Sequence, residues 1–162
     1  MANTPDYIVY TDGSSLSNPG ACGAAFIILS DNAVIRQRSI PIGEGTNNIA
    51  ELTAAIEALK EIKTLKPGKI LVYADSQYVV KGVNSWSKSW IKNNWRASSG
   101  KKVLNIELWK ELIALATELN ADFEWVKGHD DNEYNEQVDK LAKKAAEAAR
   151  KKDNPNNKIA VT

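Results

Sequence analysis

Cysteine and histidine are almost absent from this 162-residue sequence, which contains one of each, Cys22 and His129. A single cysteine cannot form an internal disulfide, so the fold does not depend on an oxidising compartment. No apolar run approaches the roughly 20 residues that span a bilayer. The N-terminal MANTPDYIVYTDG also lacks the basic and apolar regions of a signal peptide. These absences predict a cytoplasmic protein with no membrane partner.

Acidic residues are missing from one internal segment. Between Ser76 and Ile106 there is no Asp or Glu, although the whole chain has a net charge of only +1. The same segment contains six basic residues: Lys81, Lys88, Lys92, Arg96, Lys101 and Lys102. A basic segment on an otherwise acidic chain indicates a local contact with a polyanion.

Length and composition are those of one globular domain. Hydrophobic residues make up 43% of the chain and charged residues 25%, which are ordinary values. We find no internal repeat and no linker. The sequence therefore predicts a single domain over residues 1–152, a loosely held tail over residues 153–162, and a monomer without an obligatory protein partner.

Hydrophobic periodicity predicts five strands and four helices. Short β-branched or aromatic runs predict strands at Tyr7–Thr11, Ala24–Leu29, Ala33–Ile40, Lys69–Ala74 and Phe123–Val126. Helical spacing predicts helices after the capping residues 46–48, at about 77–83, from about 105, and at about 134–151. Strands followed by helices indicate an α/β domain, and the opening meander makes its sheet mixed.

Two aspartates stand at the ends of predicted strands, Asp12 after the first and Asp75 after the fourth. If these strands are parallel neighbours, both side chains lie at the same edge of the sheet. Glu51 lies in the first turn of the intervening helix, and Asp139 lies near the start of the last helix. An aspartate at a strand end is also a common turn former or helix cap, so spacing alone leaves both interpretations open.

Carboxylates that meet at one point repel each other unless a cation holds them together. Oxygen ligands without a cysteine or histidine cluster favour Mg²⁺ or Mn²⁺ over Zn²⁺. Two such ions about 3.5–4 Å apart can support hydrolysis of a phosphodiester. The acidic residues by themselves thus suggest a metal-dependent hydrolase.

Four segments together resemble the motifs of type I ribonuclease H, in the order found in that family. They are TDGSSLSNPGACGAAFIIL, TNNIAELTAAIEAL, YADSQYVVKGV and WVKGHDDNEYNEQVDKLAKKAA. The resemblance covers about residues 6–150. It implies a ribonuclease H-like fold with a five-stranded mixed sheet flanked by helices. The implied activity is endonucleolytic cleavage of the RNA strand of RNA–DNA hybrids, leaving 3′-hydroxyl and 5′-phosphate ends.

The resemblance also implies roles for individual residues. Asp12, Glu51, Asp75 and Asp139 match the family's metal-binding carboxylates, which hold two Mg²⁺ ions, with Mn²⁺ as a possible substitute. His129 matches a loop histidine that helps to transfer protons and release product, and an imidazole has a suitable near-neutral pKa. A lone histidine is otherwise more often structural or merely exposed.

The segment GVNSWSKSWIKNNWRASSGKKVLN resembles the family's basic protrusion, or handle, which grips the DNA strand. Its basic residues Lys88, Lys92, Arg96, Lys101 and Lys102 are expected to contact phosphates. Trp86 and Trp90 are four residues apart and would share one helix face. For Trp86, Trp90 and Trp95, packing at the base of the handle and contact with the substrate both remain open.

Polar residues match further substrate contacts of the family. Ser15, Asn18, Asn47, Asn48, Gln77 and Asn135 match positions that contact sugars, base edges or backbone, as recognition of a 2′-hydroxyl requires. Asn47 and Asn48 could equally cap a helix. Thr46 and Asn105 match a pocket for a DNA phosphate. Glu44 departs from the family pattern, which often has a basic residue there, and an acid would weaken the pocket unless it points away.

Three other functions are compatible with parts of the sequence. A non-catalytic module that binds hybrids would not need four carboxylates and His129. An integrase or junction resolvase of the same fold would lack the combination of the handle, TNN before Glu51 and GH before Asp139. A reverse-transcriptase subdomain is the third alternative, and a free-standing enzyme is preferred to it.

Overall fold

The structure is a computed structural model that describes residues 4–97, 99–126 and 133–153. Its strands are β1 (Tyr7–Ser15), β2 (Gly20–Ser30), β3 (Ala33–Gly45), β4 (Ile70–Ala74) and β5 (Asp122–Trp125). Its helices are α1 (Asn47–Lys63), α2 (Gln77–Lys81), α3 (Ser87–Lys92), α4 (Ile106–Leu119) and α5 (Glu133–Asp153), and a π-helical turn, Gly82–Trp86, joins α2 to α3. Apart from Asp153, which ends α5, the predicted tail lies outside the described residues.

The five strands form one mixed sheet in the order β3-β2-β1-β4-β5. Strand β2 is antiparallel to both β1 and β3, whereas β4 is parallel to both β1 and β5. The predicted α/β class and the mixed sheet are therefore confirmed. No helix in the described ranges has the length and apolar character needed to cross a membrane.

Two sequence predictions about element ends were wrong. The first strand does not end at Thr11, because β1 continues its antiparallel pairing with β2 as far as Ser15 opposite Cys22. The helix expected to end near Val83 continues through the π-helical turn into α3, because no residue there stops it before Asn93.

The sheet separates two hydrophobic cores. One face packs against α1 and α4 and forms the large core, which includes Val9, Phe26 and Val72. The opposite face of β1 and β2 packs against α5 and forms the small core, made by Tyr10, Ala25, Ile27, Leu29, Val138 and Ala142. Neighbouring residues of one strand enter different cores because side chains alternate between the two faces of a sheet.

Candidate active site

The first two candidate carboxylates are placed by the central pair of parallel strands. The last paired residues of β1 and β4 are Thr11 and Ala74. Asp12 and Asp75 each follow directly, so both lie at the carboxyl edge of the sheet. The conditional prediction that these aspartates lie side by side is confirmed.

Glu51 reaches this edge from the first turns of α1. Thr46 caps the helix, since its Oγ1 accepts the Ile49 N–H at 3.2 Å, as the sequence predicted for this segment. A Cβ atom added at Gly13 would lie only 2.4 Å from the backbone nitrogen of Glu51. Only glycine therefore lets α1 cross β1 this closely, and the close crossing brings Glu51 beside Asp12.

Asp139 approaches from the other face of the sheet, on α5. Its carboxylate shares a hydrogen bond with the carboxyl group of Asp12. The side chain of Asp139 is 42% exposed, and one oxygen lies 3.1 Å from Nζ of Lys143, one turn further along the helix. Asp139 thus links the buried aspartate to the solvent-facing side of the site.

Burial and repulsion from neighbouring acids control the protonation of Asp12 and Glu51. Burial raises the pKa of Asp12 from 3.8 to about 8, helped by its hydrogen bond to Asp139 and by the charges of Asp75 and Asp139. The pKa of Glu51 is also well above its usual value, first because of burial and then because of Asp12 and Asp75. The Gly13 N–H donates to Asp12 Oδ1 at 2.8 Å and opposes part of the rise in the pKa of Asp12. The site favours neutralisation, by protons or by cations.

The ligand chemistry fits a hard divalent ion. Within the described ranges, no group of three His, Cys, Asp or Glu side chains is already arranged to hold one ion. The four carboxylates are instead brought together through contacts of Asp12 with Glu51 and Asp139, and Asp75 lies near enough for its charge to act on Asp12 and Glu51. All four side chains offer carboxylate oxygens, which suit Mg²⁺ or Mn²⁺.

The basic segment, residues 81–102, protrudes as a helix and hairpin that we call the handle. After α3, Arg96 pairs with Lys102 in an isolated antiparallel bridge, and the Ala97 N–H donates to the Lys101 carbonyl at 2.8 Å. The candidate phosphate contacts are all exposed, and none joins the ion pairs found among the described residues. They are Lys88, Lys92, Arg96, Lys101 and Lys102.

The tryptophans of the handle divide into two kinds. The Trp90 ring lies 5.0 Å from that of Trp109 and 6.1 Å from that of Trp95, and both Trp90 and Trp95 pack against the large core. Trp86, whose ring is 5.9 Å from Trp90, is 39% exposed. Packing is thus the observed role of Trp90 and Trp95, whereas Trp86 also offers an open surface.

Comparison with known proteins assigns the family. The model of the RNase H family matches residues 4–147.

The chain belongs to the RNase H family.

Curated relatives agree over most of their length. A ribonuclease H of Neorickettsia sennetsu is 42% identical over 141 residues, which are 87% of this chain and 93% of the relative. Ribonuclease HI of Haemophilus influenzae is 43% identical and covers 86% of this chain and 88% of its own. The solution structure of the PFV RNase H domain superposes with a TM-score of 0.79 at 27% identity, covering 91% of this chain and 98% of that domain. Family membership makes the protein a metal-dependent endoribonuclease that degrades the RNA strand of RNA–DNA hybrids.

The polar residues that match substrate contacts of the RNase H family differ in how far they are buried. Asn135 is buried in the first turn of α5, Thr46 and Ser15 are partly buried, and Gln77, Asn18, Asn47 and Asn48 are exposed. Asn18 Oδ1 accepts the Asn47 N–H at 3.1 Å. His129 lies outside the described residues.

Tyr78 is a further residue of the site that the sequence analysis missed. Its hydroxyl oxygen accepts hydrogen bonds from Nδ2 of Asn105 at 3.2 Å and from Nε1 of Trp109 at 2.9 Å. Asn105 has a left-handed backbone, with φ of 58°, so this anchor fixes the side chain at an unusual turn. Tyr78 occupied an ordinary helix position in the sequence, and no pattern there distinguished it from core packing.

Glu44 lies near the opposite face of the sheet from Tyr78 and Asn105. It is exposed and lines an open groove with Leu16, Pro19 and Arg150. Arg150 belongs to α5, which covers the small-core face, whereas Asn105 begins α4 on the large-core face.

Proposed function

We propose that the converging carboxylates bind two Mg²⁺ ions, for which Mn²⁺ can substitute, and that the cut leaves 3′-hydroxyl and 5′-phosphate ends. The observation that carries this proposal is the approach of acidic side chains from four elements to one sheet edge. Burial there, with the acidic neighbours, raises the pKa of Asp12 to about 8. When bound, divalent ions activate the attacking water and stabilise the leaving oxygen. The ligands are Asp12, Glu51, Asp75 and Asp139.

The protein's own side chains then divide the remaining tasks. Asp12 and Glu51 are the inner ligands, because burial raises the pKa of each. Asp75 and Asp139 lie beside them, and the side chain of Asp139 is 42% exposed. His129 is proposed to accept and return protons near the leaving group, on the strength of its place in the fourth motif.

We propose that the handle holds the DNA strand through its phosphates. Support comes from basic side chains that are exposed and free of ion pairs within residues 81–97 and 99–102. Phosphate contacts of this kind supply affinity without reading sequence. Trp86 would lie against the DNA backbone, while Trp90 and Trp95 support it from the core.

The polar residues are proposed to distinguish the two strands. A 2′-hydroxyl both donates and accepts hydrogen bonds, so amide and hydroxyl side chains can recognise RNA by it. Thr46 and Asn105 are proposed to bind a DNA phosphate, and the position of Glu44 beside Arg150 is consistent with that role. The proposed sugar, base-edge and backbone contacts are Ser15, Asn18, Asn47, Asn48, Gln77 and Asn135.

We further propose that residues 1–152 form the functional domain, that the hybrid is the principal partner, and that the protein acts as a cytoplasmic monomer. Light scattering of the free protein and of its hybrid complex tests the monomer. A mass corresponding to two chains at micromolar concentration would contradict it.

The decisive experiment uses one labelled RNA strand in three forms: single-stranded, paired with RNA, and paired with DNA. Each is incubated with Mg²⁺, with Mn²⁺ and with a chelator. We expect cleavage of the hybrid alone, only with metal, and products with 3′-hydroxyl ends. Hybrid binding without cleavage under either metal would instead identify a non-catalytic binding module.

A further inference from the structure

Three tyrosine rings, which we call the tyrosine cluster, lie on the α5 face of the sheet below the carboxylates. The rings of Tyr10 and Tyr73 are stacked, with centroids 5.3 Å apart and planes inclined by 26°. The ring of Tyr134 lies 5.6 Å from that of Tyr10, inclined by 32°. The cluster joins β1, β4 and α5.

Each ring belongs to an element that carries one of the carboxylates or, for Tyr73 in β4, ends just before one. Tyr10 precedes Asp12 by two residues, and Tyr73 precedes Asp75 by two residues. Side chains two apart in a strand share a face, so within β1 the ring of Tyr10 lies on the same face as Asp12, and Tyr73 lies next to the last residue of β4, which Asp75 follows. Tyr134 lies in the first turn of α5, just over one helical turn before Asp139.

The start of α5 and its middle rest on the sheet in different ways. Near the middle of the helix, the approach is very close, because a Cβ atom added at Gly23 would lie 2.3 Å from the backbone nitrogen of Ala146. At the start of the helix, the bulky ring of Tyr134 stands between helix and sheet, and Tyr10 beneath it is only 8% exposed. The rings therefore act as a spacer that sets the height of the start of α5 above β1.

We infer that the tyrosine cluster is a positioning device, which fixes the separation of Asp139 from Asp12 and aligns Asp12 with Asp75. This inference rests on the proposed metal role of those carboxylates. Stacked and tilted aromatic rings have preferred geometries, so they hold this spacing more firmly than flexible aliphatic side chains. A displacement of about 1 Å at a catalytic group can reduce a rate about 100-fold.

The test compares Tyr134→Ala with Tyr134→Phe in the full chain. Magnesium binding to the free protein is measured by calorimetry, and kcat and KM are measured on the hybrid. We expect Tyr134→Ala to weaken Mg²⁺ binding about 10-fold to 100-fold, the range found for outer-shell partners of metal ligands. It should lower kcat with KM unchanged. Tyr134→Phe retains the ring, so its Mg²⁺ binding and kcat should equal those of the unmodified protein.

Leu29→Ala is the matched control, because Leu29 belongs to the same small core but pairs with Ile8 at the far end of β1. It should lower the free energy of unfolding without weakening Mg²⁺ binding. Should Tyr134→Ala fail to fold, Tyr73→Ala removes a partly buried ring from the same cluster and should shift the same quantities in the same direction.

Two failures are distinguishable. If the unmodified protein binds Mg²⁺ and Tyr134→Ala binds it equally well, or is weakened no more than Leu29→Ala, the positioning role is overturned. If the unmodified protein itself binds no Mg²⁺, the proposed metal site is overturned, and the inference with it.

Discussion

At the carboxylate edge, Asp12 is 3% exposed and has a pKa raised to about 8, whereas the handle keeps its lysines in water. Both regions gather charges of one sign. The carboxylate edge holds them close together in a poorly solvated place, where repulsion between like charges is strong. The handle spreads them along exposed elements, where water and salt screen them.

This difference determines how each region depends on the fold. The carboxylates can stay together only because the close crossing of α1 over β1 and the packing of α5 on the other face of the sheet hold them. The folded state should become more stable when protons or cations neutralise them. The handle needs no such enclosure, since a phosphate backbone can meet an exposed lysine in many geometries. Substitutions should therefore affect catalysis and stability at the first region and affinity at the second.

The largest effect is expected for Asp12→Asn. Removal of an inner ligand should reduce kcat by more than about 100-fold, beyond the effect of removing an outer-shell partner. Without metal, the free energy of unfolding at about pH 8 should rise, because a neutral amide ends the repulsion at a buried site. Single-turnover cleavage and urea unfolding measure the two quantities. The control is Asp122→Asn, at an exposed position in β5, which should change neither kcat nor the free energy of unfolding. Near-native cleavage by Asp12→Asn would exclude Asp12 from the mechanism.

The second expected effect is on the pH dependence of stability. The pKa of Asp12 is about 8 in the folded protein and 3.8 as its ordinary value, so between these values the folded state binds more protons than the unfolded state. In chelator, the contribution of Asp12 to the free energy of unfolding should therefore be largest below about pH 4 and fall as the pH rises towards about 8. Saturating Mg²⁺ at about pH 8 should restore stability.

Urea unfolding at several pH values, with chelator and with Mg²⁺, tests this prediction. The same series on Asp12→Asn should show a flatter profile in chelator. Identical pH slopes for the two proteins would contradict the raised pKa of Asp12.

The smallest effect is expected at the handle. Replacing Lys88 and Lys92 together by Ala should raise the KM for hybrid several-fold at low salt, with kcat nearly unchanged. The log–log salt slope should fall by about one for each phosphate that the variant no longer binds. The matched control replaces Lys63 and Lys66 by Ala. Both residues lie outside the handle, and their replacement removes the same amount of positive charge. A collapse of kcat with KM unchanged would show that the handle assignment is wrong.

Some of the site followed from local sequence because its causes are local. The apolar runs before Asp12 and Asp75 predicted two strands, and Thr46 was identified as part of a helix cap, which its hydrogen bond to Ile49 confirms. The end of the first strand was misplaced at Thr11, because the dipeptide Asp12-Gly13 that follows suits both a turn and a close helix crossing. Only the packing of α1 on β1 decides between these uses.

Other features depended on partners distant in sequence. Nothing near Trp90 distinguished core packing from substrate contact, and its neighbour Trp109 on α4 decided it. Tyr78 could be identified as part of the site only from the hydrogen bond between its hydroxyl group and Asn105. The tyrosine cluster likewise draws on three elements, and the spacing of Tyr10, Tyr73 and Tyr134 along the chain does not reveal it.

The sequence by itself determined the α/β class, the four motifs of the RNase H family and the acid-free basic segment. Periodicity, motif order and charge depend only on the residues along the chain and not on contacts between distant segments. Tertiary structure alone decided that Asp12, Glu51, Asp75 and Asp139 meet, and that the pKa values of Asp12 and Glu51 are raised. Their meeting depends on the parallel pairing of β1 with β4 and on helices crossing both faces of the sheet. The raised pKa values of Asp12 and Glu51 depend on burial and on like charges, which arise only when residues far apart in the chain are enclosed together.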